Sequence, residues 1–233
     1  MKKKPILLKA VITGDIIQSS SMSNRYKAGL ITEMKLLLKQ IDKDYKTKSE
    51  LYRGDSFQCL VNNTVDALRI ALIIKTAIRG MNPNELGAGT KKATAKKKSM
   101  LYPIWLFDAR IAIGIGKVDL EMKRITTSNG AAFELSGRLL DELKNTRTRF
   151  GIATKDLYHA ELHTAAILLD AIVTKTSALQ CKVIEMKLQG HTETEIAGEF
   201  RIMQSAVNQR SVSGNWNAIL VFVQRFEKIY GHD

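Results

Sequence analysis

The sequence predicts an α+β sheet with helices on one face, followed by an all-α region that contains a helix-turn-helix. Three observations carry this. Leu7 to Ile17 is a nearly continuous apolar run that ends in the polar turn Thr13-Gly14-Asp15, as a buried strand does. Apolar Ile111, Ile113 and Ile115 alternate with period two, whereas Leu30, Ile31, Met34, Leu37, Leu38 and Ile41 follow helical spacing. Strand and helix patterns are interleaved up to residue 154, and only helical patterns follow.

Taken in order, Leu7 to Ile17 is the first strand and Arg25 to Ile41 the first helix. Ser49 to Tyr52 and Phe57 to Val61 are short runs separated by Arg53-Gly54-Asp55-Ser56, which reads as a hairpin with an aspartate at its tip. Thr64 to Arg79, rich in Leu, Ile and Ala, is a helix; Trp105 to Val118 is a strand, Asn129 to Lys144 a helix and Phe150 to Thr154 a strand. Lys155 to Val173 is read as a further helix with an apolar stripe of Leu162, Ala166, Leu169, Ile172 and Val173. Trp216, Ile219, Phe222, Val223 and Phe226 form another stripe, and either serves core packing or a helix-mediated homodimer. The division expected is a domain over 1–153 and a helical region over 154–233.

Near the C-terminus, residues 192–213 read as two short helices joined by a tight turn, with Ile196, Ala197, Ile202 and Val207 facing inward. Thr192 or Thr194 caps the first helix, and Glu195 completes a capping box with Thr192. The second helix starts near Gln204. Its outward residues Gln204, Ser205, Asn208, Gln209 and Arg210, with Thr194, carry the amides, hydroxyls and guanidinium that suit base edges and phosphates of double-stranded DNA. The other reading is a helical hairpin that packs on a neighbour.

The chain of 233 residues is 45% apolar, enough for a sizeable core. Its formal charge of +13 invites a nucleic-acid partner, yet from Thr176 onward six Lys or Arg balance six Asp or Glu. The excess lies earlier, much of it in Lys2-Lys3-Lys4 and in Lys91, Lys92, Lys96, Lys97 and Lys98. The second group falls in a Gly, Asn, Pro and Lys-rich stretch, about 81–99, read as a mobile basic loop that is either solvated or contacts phosphate. Cys59 and Cys181 have no CxxC spacing and read as core thiols. The apolar run after Met1-Lys2-Lys3-Lys4-Pro5 is too short for a secretory segment and no run approaches about 18 residues. A cytoplasmic protein without membrane contact is expected.

Two carboxylates stand out. Asp15 ends the first strand and Asp55 tips the hairpin, each beside a glycine, Gly14 or Gly54, that lets a ligand approach the backbone. A βαββ order makes these two sites neighbours. Convergent oxygen ligands suit Mg²⁺ or Mn²⁺ holding a triphosphate, because hard cations need few protein ligands besides water. Taken singly, each aspartate is an ordinary turn residue.

Gly14-Asp15-Ile16-Ile17, Arg53-Gly54-Asp55-Ser56-Phe57, Arg110 to Val118 and Asn129 to Leu139 fall in the order of the motifs of class III nucleotidyl cyclases, and the chain resembles the SatD family, in which a cyclase-like region precedes a helix-turn-helix. The resemblance covers about residues 8 to 220. It implies a ferredoxin-like, nucleotidyl cyclase-like sheet, metal ligands at Asp15 and Asp55, a nucleotide near Gly14 and Gly54, and a phosphate-steadying, catalytic arginine at Arg138. Two positions depart from the cyclase pattern. Glu134 stands where a cyclase has the helix asparagine that donates to the ribose, and a carboxylate cannot donate. Leu51 stands at the purine-selecting lysine. The resemblance thus implies a DNA-binding regulator whose first domain binds a metal-nucleotide or serves a homodimer; the alternative is a nucleotidyl cyclase or nucleotidyltransferase with a targeting module.

Two further motifs are weaker. His159 and His163 share a helical face but form no His-Glu-x-x-His and have no apparent third ligand. Gly114 and Gly116 lack a third glycine and a following helix start, so close strand packing explains them better than a dinucleotide loop.

Overall fold

The computed structural model describes residues 8–17, 22, 24–82, 107–122 and 124–231. The two lysine clusters, at 2–4 and 91–98, lie outside the described residues, as does most of the 81–99 stretch. Strand β1 (Lys9–Ile16) is central in a five-stranded sheet of order β2-β3-β1-β4-β5. It runs antiparallel to β3 (Ser56–Val61) and to β4 (Ala109–Gly116). Beyond them, β2 (Lys48–Tyr52) closes the hairpin on β3, and β5 (Phe150–Thr154) lies parallel to β4. Strand alternation then sorts the side chains.

One face of the sheet carries Ala10, Ile12, Phe57, Cys59, Ile111 and Ile113, packed against α1 (Asn24–Tyr45) and α2 (Ala67–Gly80). The opposite face carries Val11 and Leu60, which meet Phe133, and Ala112 and Ala153, which meet Leu139, Leu140 and Leu143. Those partners belong to α3 (Ala131–Lys144). Helices therefore cover both faces, where the sequence pattern led to one. Small residues allow it: a Cβ at Gly114 would lie 2.2 Å from the Ala132 carbonyl oxygen and 2.4 Å from the Ser136 nitrogen. Gly114 is thus a packing glycine, and a helix over so flat a surface gains close contact without bulky sheet residues.

The remaining helices are α4 (His159–Val173), α5 (Ala178–Leu188), α6 (Glu193–Phe200), α7 (Gln204–Ser213) and α8 (Trp216–Tyr230). Leu162 and Leu169 of α4, Ile184 of α5 and Ile219 and Phe226 of α8 join the same apolar cluster as the sheet. That cluster is reinforced by buried charge. Asp108, immediately before β4, accepts from Lys75 at 2.8 Å, from Arg79 at 2.7 Å and from Arg149 at 2.7 Å. Arg79 also donates to the carbonyls of Thr174 and Thr176, and Asp170 of α4 accepts the Arg149 backbone N–H at 2.8 Å. Burial alone would raise the Asp108 carboxyl, but Lys75 and Arg79 beside it hold it below the ordinary 3.8.

Helices α6 and α7 meet through Arg201, which is left-handed at φ 52°, and close a small cluster of Val183, Ile196, Ala197 and Val207 with α5. The capping box forms as expected: the Glu195 N–H donates to Thr192 Oγ1 at 3.3 Å and the Thr192 N–H to Glu195 Oε2 at 2.7 Å. Both cysteines are buried, and burial pushes the Cys59 thiol up to about 12. No helix among the described residues is long and apolar enough to cross a membrane.

Candidate functional site

Asp15 leaves the sheet on the α3 face, near the end of β1. The register sets it opposite Ser56 on β3 and opposite Arg110 on β4. Asp55, the residue before Ser56, belongs to the β2–β3 turn, and its carbonyl accepts the Ile16 N–H at 2.9 Å. The two aspartates are therefore adjacent along the rim of the sheet, as the βαββ order requires. Asp15 and Arg110 form an ion pair at 3.1 Å, with the Asp15 side chain 16% and the Arg110 side chain 26% exposed. Ser56 Oγ donates to Asp55 Oδ1 at 3.4 Å.

The turn reaches this geometry through two consecutive left-handed residues, Arg53 at φ 53° and Gly54 at φ 79°. A side chain at Gly54 would meet Ile31 Cδ1 at 3.7 Å and Lys27 Cε at 3.9 Å, so Lys27 of α1 lies beside the tip of the hairpin. Gly14 is needed for packing as well. A Cβ there would stand 2.4 Å from Phe57 Cζ and 2.8 Å from the Arg110 carbonyl oxygen.

Tyr52 shows which charges share the rim. Its phenol is pushed up chiefly by burial, then pulled down by Arg53 and Lys144 and pushed up by Asp15 and Asp141. The C-terminal end of α3 thus reaches toward the same rim as Asp15, with Lys144 donating to Asp141 at 2.7 Å. Two register positions further in, on the same face, Gln58 is opposite Thr13, and Thr13 Oγ1 lies 2.9 Å from Ser136 Oγ of α3. Gln58 Oε1 is buried and has no hydrogen-bond partner among the described residues.

Arg138 and Glu134 lie on the outer side of α3, where they face each other at 3.9 Å with side chains 79% and 63% exposed. Within one chain Arg138 therefore pairs along its own helix, one turn from Glu134. Leu51 is half-buried on β2, paired with Phe57. The rings of His159 and His163 stand 5.8 Å apart. Among the described residues no group of three or more His, Cys, Asp or Glu could hold a metal ion. At the Asp15 rim the protein donors are two carboxylates, a set that suits a hard cation keeping most of its waters or taking phosphate oxygens.

On α7, Gln204, Ser205, Asn208 and Gln209 are exposed, Thr194 of α6 is exposed and Arg210 is half-buried. Asn208 also bonds the Glu193 carboxylate, which Lys187, at 2.7 Å, holds below its ordinary range. Val212, on the same outer side, is 66% exposed.

Sequence reasoning passed over Arg110, Tyr52 and Lys144 at the rim. It also passed over Lys75 and Arg79, two cations four apart in the mostly apolar stretch Ile70–Gly80, which is a legible sign of buried partners.

No family model matches the chain, and no curated protein matches it. Solved cyclase structures do. The adenylate cyclases of Trypanosoma brucei in their monomeric state align at 17% identity over 58% of this chain and 69% of theirs, with a TM-score of 0.43. A bacterial light-regulated adenylyl cyclase aligns at 17% identity over 64% of this chain and 75% of its own, TM-score 0.44. A dimeric guanylyl cyclase domain of the RhoGC fusion protein from the aquatic fungus Blastocladiella emersonii aligns at 15% identity over 65% and 82%, TM-score 0.44. The chain is similar to these in its mixed sheet and helices; the function is argued below from its own residues.

Proposed function

We propose that the sheet domain binds a divalent cation together with a nucleoside triphosphate at the Asp15–Asp55 rim, and that it binds without efficient cyclisation. The observation that carries this is the adjacency of Asp15 and Asp55 at an accessible edge ringed by Lys27, Arg53, Arg110 and Lys144. The backbone sets these two aspartates at neighbouring positions of the rim, and the surrounding lysines and arginines suit the phosphates that a divalent cation brings. Asp15 and Asp55 would hold the metal; it would supply charge neutralisation between the carboxylates and the phosphates. Glu134, with no donor to offer a ribose, argues against turnover.

Incubation of the chain with Mn²⁺ and ATP or GTP is expected to give little or no cyclic nucleotide by chromatography, while the unchanged triphosphate stays bound. Sustained cyclic product from the unmodified chain would instead make it a nucleotidyl cyclase.

A second role is supported by the outer side of α7. An exposed row of Gln204, Ser205, Asn208 and Gln209 on the second of two short helices suits DNA base edges, as in a SatD-type regulator. The balanced charge of residues 176–233 makes such a module weak alone, so a homodimer supplies the second set of contacts. The outer side of α4, where Ile167 is 42% and Leu168 62% exposed, is a candidate contact face. Asn208→Ala with Gln209→Ala is expected to weaken a selected duplex site by about 1–3 kcal/mol per base contact, with little change in salt slope. If the full chain retains no duplex DNA at low salt, the tail is a protein-docking element.

A further inference from the structure

We propose that His159 and His163 chelate one transition-metal ion of the zinc class on the outer side of α4, and that the ion joins two copies of the chain. The two residues are four apart in the first turns of α4, so their side chains rise from one face of the helix. Both are exposed, and their rings already stand 5.8 Å apart. Two imidazoles that share an ion at about 2.0–2.1 Å hold their centroids about 5 Å apart, so a small side-chain rotation brings both to one metal. The Thr154 N–H donates to His159 Nδ1 at 3.4 Å. An ion on Nε2 moves the ring proton to Nδ1 and displaces that donor, a small cost for so long a bond.

Two nitrogens fill half of a tetrahedral sphere, and the described residues of one chain do not supply the rest. Asp156, three residues before His159, accepts from the Tyr158 N–H, the Thr154 hydroxyl and the Tyr230 hydroxyl. Glu161 is held by Arg225 through two bonds, at 2.7 and 3.1 Å. The histidines stand on an exposed helix side, beside exposed Ala160, Thr164 and Ile167, where another protein surface can reach them. A second α4 laid against this side brings the same pair, because a two-fold contact places one patch on both copies. Small Ala160 and Thr164 let the helices approach, and Ile167, 42% exposed, continues the row with apolar contact. Four imidazoles then complete the ion. The site differs in kind from the Asp15 rim, since imidazole suits Zn²⁺, Cu²⁺ and Ni²⁺ whereas carboxylates suit Mg²⁺ or Mn²⁺. It deepens the homodimer reading above by naming the face and the ion, and it is independent of the nucleotide site.

The test measures the mass of the full chain by light scattering, and its zinc stoichiometry by competition with a colorimetric chelator, in Zn²⁺ or in Mg²⁺. Zn²⁺ is expected to convert a monomer to a dimer at about one ion per two chains, and Mg²⁺ to leave the mass unchanged. His159→Ala and His163→Ala, each shown to be folded by circular dichroism, should each lower zinc affinity at least about tenfold and abolish the dimer. Asp15→Asn with Asp55→Asn should leave both the affinity and the dimer intact. Equal zinc binding in the histidine variants, or one ion per chain without a change of mass, would overturn the inference. A dimer that forms alike with and without zinc would also overturn it, while leaving the homodimer reading in place.

Discussion

Asp15 and Asp108 stand at the same end of the sheet, and they differ in everything that decides the use of a carboxylate. Asp108 is buried, 4% exposed, and three cations converge on it from α2 and from the start of β5. Among the described residues Asp15 has a single cation partner, and it keeps contact with solvent. Burying a charge is tolerated only when partners replace the lost water, so Asp108 is committed to holding the fold together. A partly exposed carboxylate with one partner can exchange that partner for a ligand at lower cost than a buried one. The network around Asp108 also joins the sheet to α4 and to the α4–α5 connection, through Asp170, Thr174 and Thr176, whereas the rim at Asp15 touches none of these.

The contrast is broken most severely at Asp108. Asp108→Asn leaves Lys75 and Arg79 buried with less than their full charge compensation, and is expected to cost about 3–5 kcal/mol in urea unfolding, the range for removing one member of a buried ion pair. A loss below about 1 kcal/mol would mean that the cluster is hydrated and that Asp108 is no different in kind from Asp15.

A smaller effect is expected at Glu185, on the α1–α2 side of the molecule. Glu185 lines a groove with Leu36, Leu37, Met81 and Lys182, and burial pushes its carboxyl up to about 7 from an ordinary 4.5, against the pull of Lys182. Between these two values the folded chain holds a proton that the unfolded chain has released. Stability from this group is therefore complete below about pH 4.5 and is lost as pH rises through 7. Glu185→Gln should flatten that decline by about 1–2 kcal/mol, less than the full shift implies because the groove admits water. An unchanged pH profile of urea midpoints in the variant would show that Glu185 is ionised in the fold.

Least affected should be the stability of Asp15→Asn, which loses one partly exposed pair and is expected to change unfolding by under about 1 kcal/mol. A loss as large as that of Asp108→Asn would make Asp15 a structural residue and erase the distinction between the two.

Much of this arrangement is legible from the chain itself. Alternation at Ile111, Ile113 and Ile115 gives β4, the Arg53-Gly54-Asp55 turn gives the hairpin, and Thr192 with Glu195 gives the start of α6. The position of α3 is not legible, because the surface that receives it is built of Ala112, Gly114, Gly151 and Ala153, whose small size carries no hydrophobic signal. Nor is the Asp108 cluster, whose members at 75, 79, 149 and 170 meet only through the tertiary fold. The pairing of Asp15 with Arg110 depends on strand register, and a slip of one residue would turn Arg110 to the other face. Adjacency of Asp15 and Asp55 depends likewise on the β1–β3 register, but the βαββ order makes it an expectation of the sequence.

The central claim, that the rim is a metal–triphosphate site distinct from the buried cluster, is tested most directly by thermal unfolding with Mn²⁺ and a nucleoside triphosphate. A ligand present at one hundred times its dissociation constant stabilises the fold by about 2.7 kcal/mol, which is read as a rise in Tm of several degrees. The unmodified chain should show that rise, and the folded double variant Asp15→Asn with Asp55→Asn should show none. A rise of equal size in the double variant, or no rise in the unmodified chain at millimolar ligand, would contradict the account.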